Sequence, residues 1–128
     1  GQPLSEIQLI QAKIARMALD YQAARLLYLQ AGWLKNQGLR NTRETSAAKW
    51  FATEASFQAA SEGVQIHGAY GYSDEYPVER YLRNARGAMI YEGSTEIQSL
   101  IQAGYALEKR QDKKLRCELP AYDPKTWT

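Results

Sequence analysis

The sequence predicts an all-α fold, an antiparallel four-helix bundle, on three observations. The first segment repeats apolar residues at alternating spacings of three and four. Short stretches bearing Gly, Asn or Pro then cut the remainder into helix-length pieces. No segment alternates polar and apolar residues as a half-buried strand does.

In the first segment Ile7, Ile10, Ile14, Met17, Tyr21, Ala24, Tyr28 and Ala31 share one stripe of a long helix, as in a bundle seam. Pro3 suits its entrance, and Ser5 with Gln8 has the spacing of a capping box. Asn36-Gln37-Gly38 is a stop signal. Asn41 and Thr42 are N-cap candidates for a second helix. Its buried face is expected to be Ala48, Phe51, Ala52, Ala55, Ala59, Gly63 and Ile66. Small residues dominate that face, so a neighbouring helix can come close, and the short connection makes the first two helices antiparallel. Gly68 to Asp74 has turn residues and no usable period. Pro77 then opens a shorter third helix with Val78, Tyr81, Leu82 and Ala85 inward. A second break centres on Glu92-Gly93-Ser94. Ser94 or Thr95 caps a fourth helix that packs through Ile97, Leu100, Ile101 and Tyr105. The bundle is expected to occupy residues 1–108, and 109–128, with Lys109, Arg110, Lys113, Lys114 and Arg116, to form a charged tail.

Composition narrows the function. Hydrophobic residues are 45% and charged residues 23% of 128, the balance of a globular domain. The net charge of +2 offers no bulk attraction for nucleic acid or an anionic membrane. No basic-then-apolar leader opens the chain, and no apolar run reaches the roughly 20 residues of a membrane helix. One cysteine, Cys117, and one histidine, His67, cannot assemble a His/Cys zinc site or an internal disulfide.

Function must come from the two breaks. In Gln65-Ile66-His67-Gly68-Ala69-Tyr70-Gly71-Tyr72, small residues let backbone approach a bulky partner. A helix C-cap followed by a tight turn accounts for the same residues. In Ile90-Tyr91-Glu92-Gly93-Ser94-Thr95-Glu96, a carboxylate stands just before a helix start beside hydroxyls that suit a polar ligand. An ordinary helix N-terminus with favourable acidic charge is the competing explanation.

Four segments taken together resemble the acyl-CoA dehydrogenase family. They are Gly1-Gln2-Pro3-Leu4 to Gln8, Gln65-Ile66-His67-Gly68, Tyr76-Pro77-Val78-Glu79-Arg80-Tyr81-Leu82-Arg83, and Ile90-Tyr91-Glu92-Gly93-Ser94. The resemblance covers nearly all of this chain but only about the last third of a family member, in which an N-terminal helical domain and a β-domain come first. It implies oxidation of a saturated acyl-CoA to the 2,3-enoyl-CoA with FAD as cofactor. Glu92 matches the base that takes the α-proton, and its backbone N–H matches a donor to the thioester oxygen, an oxyanion-hole arrangement. Tyr91 and Gly93, its neighbours, are expected against the substrate. Gln65 and Gly68 match a segment that touches the FAD of a neighbouring subunit. Gln8, Leu4, Ser94 and Glu96 match further positions near that cofactor. Gln8 suits the capping box equally well, and Leu4 suits core packing better.

The resemblance further implies a homotetramer, an electron-transfer flavoprotein as electron acceptor, and a place in a bacterial cytoplasm or mitochondrial matrix. His67 is expected to be a helix-end residue with a satisfied ring, and Arg83 a member of an ion pair. Departures are Ala69, where the family usually has a second glycine, and Glu96, where a neutral glutamine is also common. Two other readings stand beside the dehydrogenase: a non-catalytic helical oligomerisation module, and an acyl-CoA oxidase on the same fold.

Overall fold

A computed structural model describes residues 1–112 of the chain. A 3₁₀ turn at Leu4–Glu6 precedes α1 (Gln8–Asn36), α2 (Thr42–His67), a single turn α3 (Ala69–Tyr72), α4 (Val78–Ala88) and α5 (Thr95–Ala106). The described residues are thus helical without strands, as expected. One addition is α3, which the glycine-rich stretch concealed.

The long helices form a row of three rods with α2 in the middle. The α1–α2 pair is antiparallel: Lys13 of α1 pairs with Glu62 near the end of α2, while Asn41, at the start of α2, reaches Ala31. On the other flank, Gly63 lies beside Val78 and the Arg86 guanidinium sits 5.7 Å from the Phe57 ring centroid. Further along, the Ser46 hydroxyl donates to the Gln98 carbonyl at 3.1 Å, and the Gln102 amide donates to the Arg43 carbonyl at 2.6 Å. As numbers fall along α2 they rise through α4 and then α5. These two helices therefore lie end to end, one broken rod antiparallel to α2. The break falls at residues 89–94.

Local chemistry explains most helix ends. Gly38 takes φ +69, its N–H meets the Lys35 carbonyl at 3.0 Å, and the Leu39 N–H meets the Leu34 carbonyl at 3.0 Å. That pair of bonds is the Schellman stop. Asn41 occupies the N-cap of α2, yet its amide donates to the Ala31 carbonyl at 2.8 Å instead of accepting from its own helix. The expected capping box of Ser5 and Gln8 does not form. Ile7 is the N-cap of α1, and it is Gln11 that reaches back to the Ser5 carbonyl at 2.9 Å. The 3₁₀ turn shifts the helix start past Ser5.

Burial corrects three predicted faces. On α1, Ile10, Met17 and Ala24 are half-buried and Ala31 is buried, but Ile14, Tyr21 and Tyr28 are exposed. Lys13, Asp20, Leu27 and Leu34 are half-buried in their stead. On α5, Ile97 and Leu100 point outward, whereas Gln98 is buried. Tyr81 of α4 is exposed as well. The face of α2 is as expected, with Ala48 buried and Phe51, Ala52, Ala55, Ala59, Gly63 and Ile66 half-buried. Lys113, Lys114 and Arg116 lie outside the described residues. None of the described helices is long and apolar enough to cross a membrane.

A candidate carboxylate site at the break in the third rod

α4 ends at Ala88 with Met89 as its C-cap, and two of the residues that follow adopt a left-handed backbone: Glu92 at φ +58 and Gly93 at φ +91. A non-glycine residue there is uncommon and carries strain, which persists only where the surroundings impose it. The Thr95 N–H closes the loop on the Met89 carbonyl at 3.0 Å, so six residues separate two helices that would otherwise run on. Ser94, the N-cap of α5, is extended at φ −61, ψ 164.

The loop is held through its carbonyl groups. Lys49 of α2 donates from Nζ to the Gly93 carbonyl at 2.6 Å. The buried Gln98 amide donates to the same carbonyl at 3.2 Å and to the Glu92 carbonyl at 3.4 Å. Gln98 is anchored in turn where its own carbonyl accepts the Ser46 hydroxyl. Glycine is favoured there by φ, and a Cβ on Gly93 would lie 2.6 Å from the Gln98 amide nitrogen, displacing the amide that holds the loop. The Glu92 residue itself is exposed, its backbone fixed from below. Sequence reasoning missed Ser46, Lys49 and Gln98. Lys49 sits in an alanine-rich helical run where a cation reads as surface, and Gln98 interrupts the apolar pattern of α5.

The remaining expected residues are spread out. Tyr91 is exposed, and Gly93 and Ser94 are half-buried in the same loop. Glu96 is exposed in the first turn of α5. The Ser94 hydroxyl donates to the Glu96 carboxylate and holds its pKa below the ordinary carboxylate value, helped by the Glu96 backbone N–H and, more weakly, by Arg86. Gln65 and Gly68 are exposed at the far end of α2, where Gly68 turns the chain with φ +60 and ψ −138. At about 1.5 Å per helical residue, Lys49 and Gly68 stand roughly 28 Å apart. A single chain does not bring the two loops together. Gln8 is exposed at the start of α1, and Leu4 is exposed rather than in a core. His67 is a helix-end residue whose Nδ1 meets the Gly63 carbonyl at 2.8 Å, and Arg83 pairs with Glu79, both as expected. A groove of about 920 Å³ runs between α2 and α4 past Gly71, Asp74 and Arg83, and Glu92 does not line it.

A row of helices broken by a clamped, acid-bearing loop defines an all-α domain with two exposed carboxylates on a left-handed backbone, Glu92 in the clamped loop and Glu108 just past α5. The acyl-CoA dehydrogenase C-terminal domain matches residues 1–106. An acyl-CoA dehydrogenase of Bacillus subtilis (strain 168) is 49% identical over 107 residues, which are 84% of this chain and 28% of that protein. Among solved structures, butyryl-CoA dehydrogenase from Megasphaera elsdenii superposes with a TM-score of 0.81 at 40% identity, covering 84% of this chain and 28% of that one. Glutaryl-coenzyme A dehydrogenase in its glutaryl-CoA complex gives 0.82 at 41%, covering 86% and 28%. The chain belongs to the acyl-CoA dehydrogenase family, as its C-terminal domain. It spans little more than a quarter of the length of these relatives.

Proposed function

We propose that this chain is part of an FAD-dependent enzyme that α,β-dehydrogenates an acyl-CoA thioester to the 2,3-enoyl-CoA, with Glu92 as the base. The observation that carries this is Glu92 itself. It is an exposed carboxylate on a left-handed backbone, in a loop clamped from the helix beneath. Strain of this kind gathers where a side chain must be presented in one orientation.

The α-proton beside a thioester is weakly acidic, so the base needs help from a donor to the thioester oxygen. The Glu92 N–H, which meets no acceptor among the described residues, suits that role. Tyr91 and Gly93 flank the base and would border the acyl group. An acyl chain over the loop would exclude water and strengthen the carboxylate as a base.

FAD, when bound, supplies the acceptor for the β-hydrogen, which leaves as hydride. The residues present suit such a group. A Cβ on Gly68 would meet nothing within 4 Å, so that backbone is open to a bulky partner, with the Gln65 amide exposed beside it. At the other loop, Ser94 and Glu96 offer a hydroxyl and an ionised carboxylate. Glu96 suits a hydroxyl of the cofactor rather than its phosphates, since like charges repel. Gln8 is free of a capping role and available for a contact. The wide separation of Gly68 from Glu92 fits cofactor contacts drawn from two copies of the protein. This supports a homo-oligomer, a tetramer by resemblance. An electron-transfer flavoprotein is the proposed electron acceptor.

The test is Glu92→Gln in the full-length protein. The variant should bind FAD and acyl-CoA but lose substrate-driven bleaching of the flavin by at least about a thousandfold, the scale of a positioned general base. Near-normal bleaching would remove Glu92 from the role. Oxygen uptake by the wild-type enzyme during turnover would point to the oxidase reading.

A further inference from the structure

The Lys49 ammonium, half-buried on α2, forms no ion pair among the described residues. Its one described polar partner is the Gly93 carbonyl, at 2.6 Å. A lysine head removed from bulk water is commonly neutralised by a carboxylate. Here it meets a backbone oxygen one residue from the candidate base. That oxygen is also the acceptor of the Gln98 amide. Two donors on one carbonyl, one of them charged, form a strong and directional anchor. The anchored residue is the second of the two left-handed positions, so the peptide between Gly93 and Ser94 cannot rotate without breaking bonds to both α2 and α5, while the peptide before it is held by Gln98 at the Glu92 carbonyl.

We propose that Lys49 is a positioning residue for the dehydrogenation, holding the Glu92 backbone in its left-handed conformation through the Gly93 carbonyl. This rests on the assignment of Glu92 as the base. Gln98 alone can reach both carbonyls, but at 3.2 and 3.4 Å its bonds are long. Lys49 supplies the short one. Without it the strained backbone relaxes toward an ordinary conformation, and the carboxylate swings away from the α-carbon. The loop borders only the reacting end of the acyl-CoA, so binding changes less than the rate. The signature is therefore a fall in kcat with a nearly constant KM.

The experiment uses the full-length, FAD-loaded enzyme. Flavin reduction under anaerobic rapid mixing is compared among wild type, Glu92→Gln, Lys49→Met and Lys49→Arg. Lys49→Met should keep its FAD content and KM while the reduction rate at saturating acyl-CoA falls about 10- to 100-fold, the scale of a misplaced reacting group. Lys49→Arg, which restores a charged donor, should recover most of that loss. If Lys49→Met does not fold, Lys49→Gln takes its place with the same expectation.

Wild-type reduction in the Lys49→Met enzyme overturns the proposal. So does loss of FAD content with normal reduction per bound flavin, because that marks a merely structural lysine. Loss of activity in Glu92→Gln alongside an unaffected Lys49→Met sinks only the clamp. Normal reduction in Glu92→Gln sinks the base assignment and the clamp with it.

Discussion

At the residue scale, the loop depends on a few polar atoms placed where apolar ones were expected. Gln98 is the clearest case. It is buried on the inward face of α5, between outward-facing Ile97 and half-buried Ile101, and serves the Glu92–Gly93 carbonyls. Hydrophobic periodicity cannot find such a residue, because its burial is stabilised by hydrogen bonds and not by transfer from water. Glu92 itself was legible as an acid before a helix. Its left-handed φ was not, since nothing in the residue type requires it. The neighbouring Ser94–Glu96 pair gives a pH-dependent expectation. Glu96 has a lowered pKa in the folded chain, chiefly through the Ser94 hydroxyl. A depressed carboxylate stabilises the fold above its unfolded pKa, and this is lost as pH falls through the folded value. Ser94→Ala should therefore raise the Glu96 pKa toward the ordinary value and make stability less sensitive to acid. Carboxyl ¹³C titration of glutamate-labelled protein checks this, and an unmoved Glu96 would show that the hydroxyl does not hold it. Glu96 is exposed, so solvent screening keeps the stability change small.

At the element scale, most helix limits were legible, whereas half of the α1 face and parts of the α4 and α5 faces were not. Gly38, Asn41, Pro77 and Ser94 mark their boundaries because turn and cap chemistry is local. The α1 stripe was ambiguous because Ile10, Met17, Ala24 and Ala31 belong equally to two seams. One seam adds residues four positions on, Ile14, Tyr21 and Tyr28. The other adds residues three positions on, Lys13, Asp20, Leu27 and Leu34. α2 covers the second, and its two charged members have partners: Lys13 bridges to Glu62, and Asp20 accepts from Arg16 at 2.8 Å. Ion pairs thus made a polar seam packable, which the apolar pattern does not encode. The α1–α2 corner is fixed further by Asn41, whose amide meets the Ala31 carbonyl just where α1 approaches its end. Asn41→Ala removes that bond and leaves the carbonyl of a buried residue without it. We expect a loss of about 1–2 kcal/mol, read from the urea midpoint with an unchanged denaturant slope. An unchanged midpoint would mean that water replaces the amide at no cost.

At the scale of the whole molecule, three rods in a row cannot enclose much. Among the described residues the buried hydrophobics are Ala31, Ala48 and Ala85, and no large side chain is fully buried. Meanwhile α1 holds Leu9, Leu19, Leu26 and Trp33 each at least 60% exposed, with Tyr21 and Tyr28 beside them. Apolar residues on more than one side of a helix call for covering on more than one side, and burying each such leucine is worth about 1.5–3 kcal/mol. The face of α1 that α2 leaves open is therefore where we expect other protein to pack, in keeping with the proposed oligomer and with contacts from the rest of a longer protein. The consequence is testable on the 128-residue chain alone. Sedimentation velocity should show mass that grows with concentration across the micromolar range. Leu26→Glu, which faces away from α2, should shift the chain toward monomer without loss of helical circular dichroism. If wild type and variant both sediment as monomers, the exposed seam is not an interface the chain can use by itself. Its covering would then have to come from other parts of the protein, and oligomerisation would no longer follow from this domain.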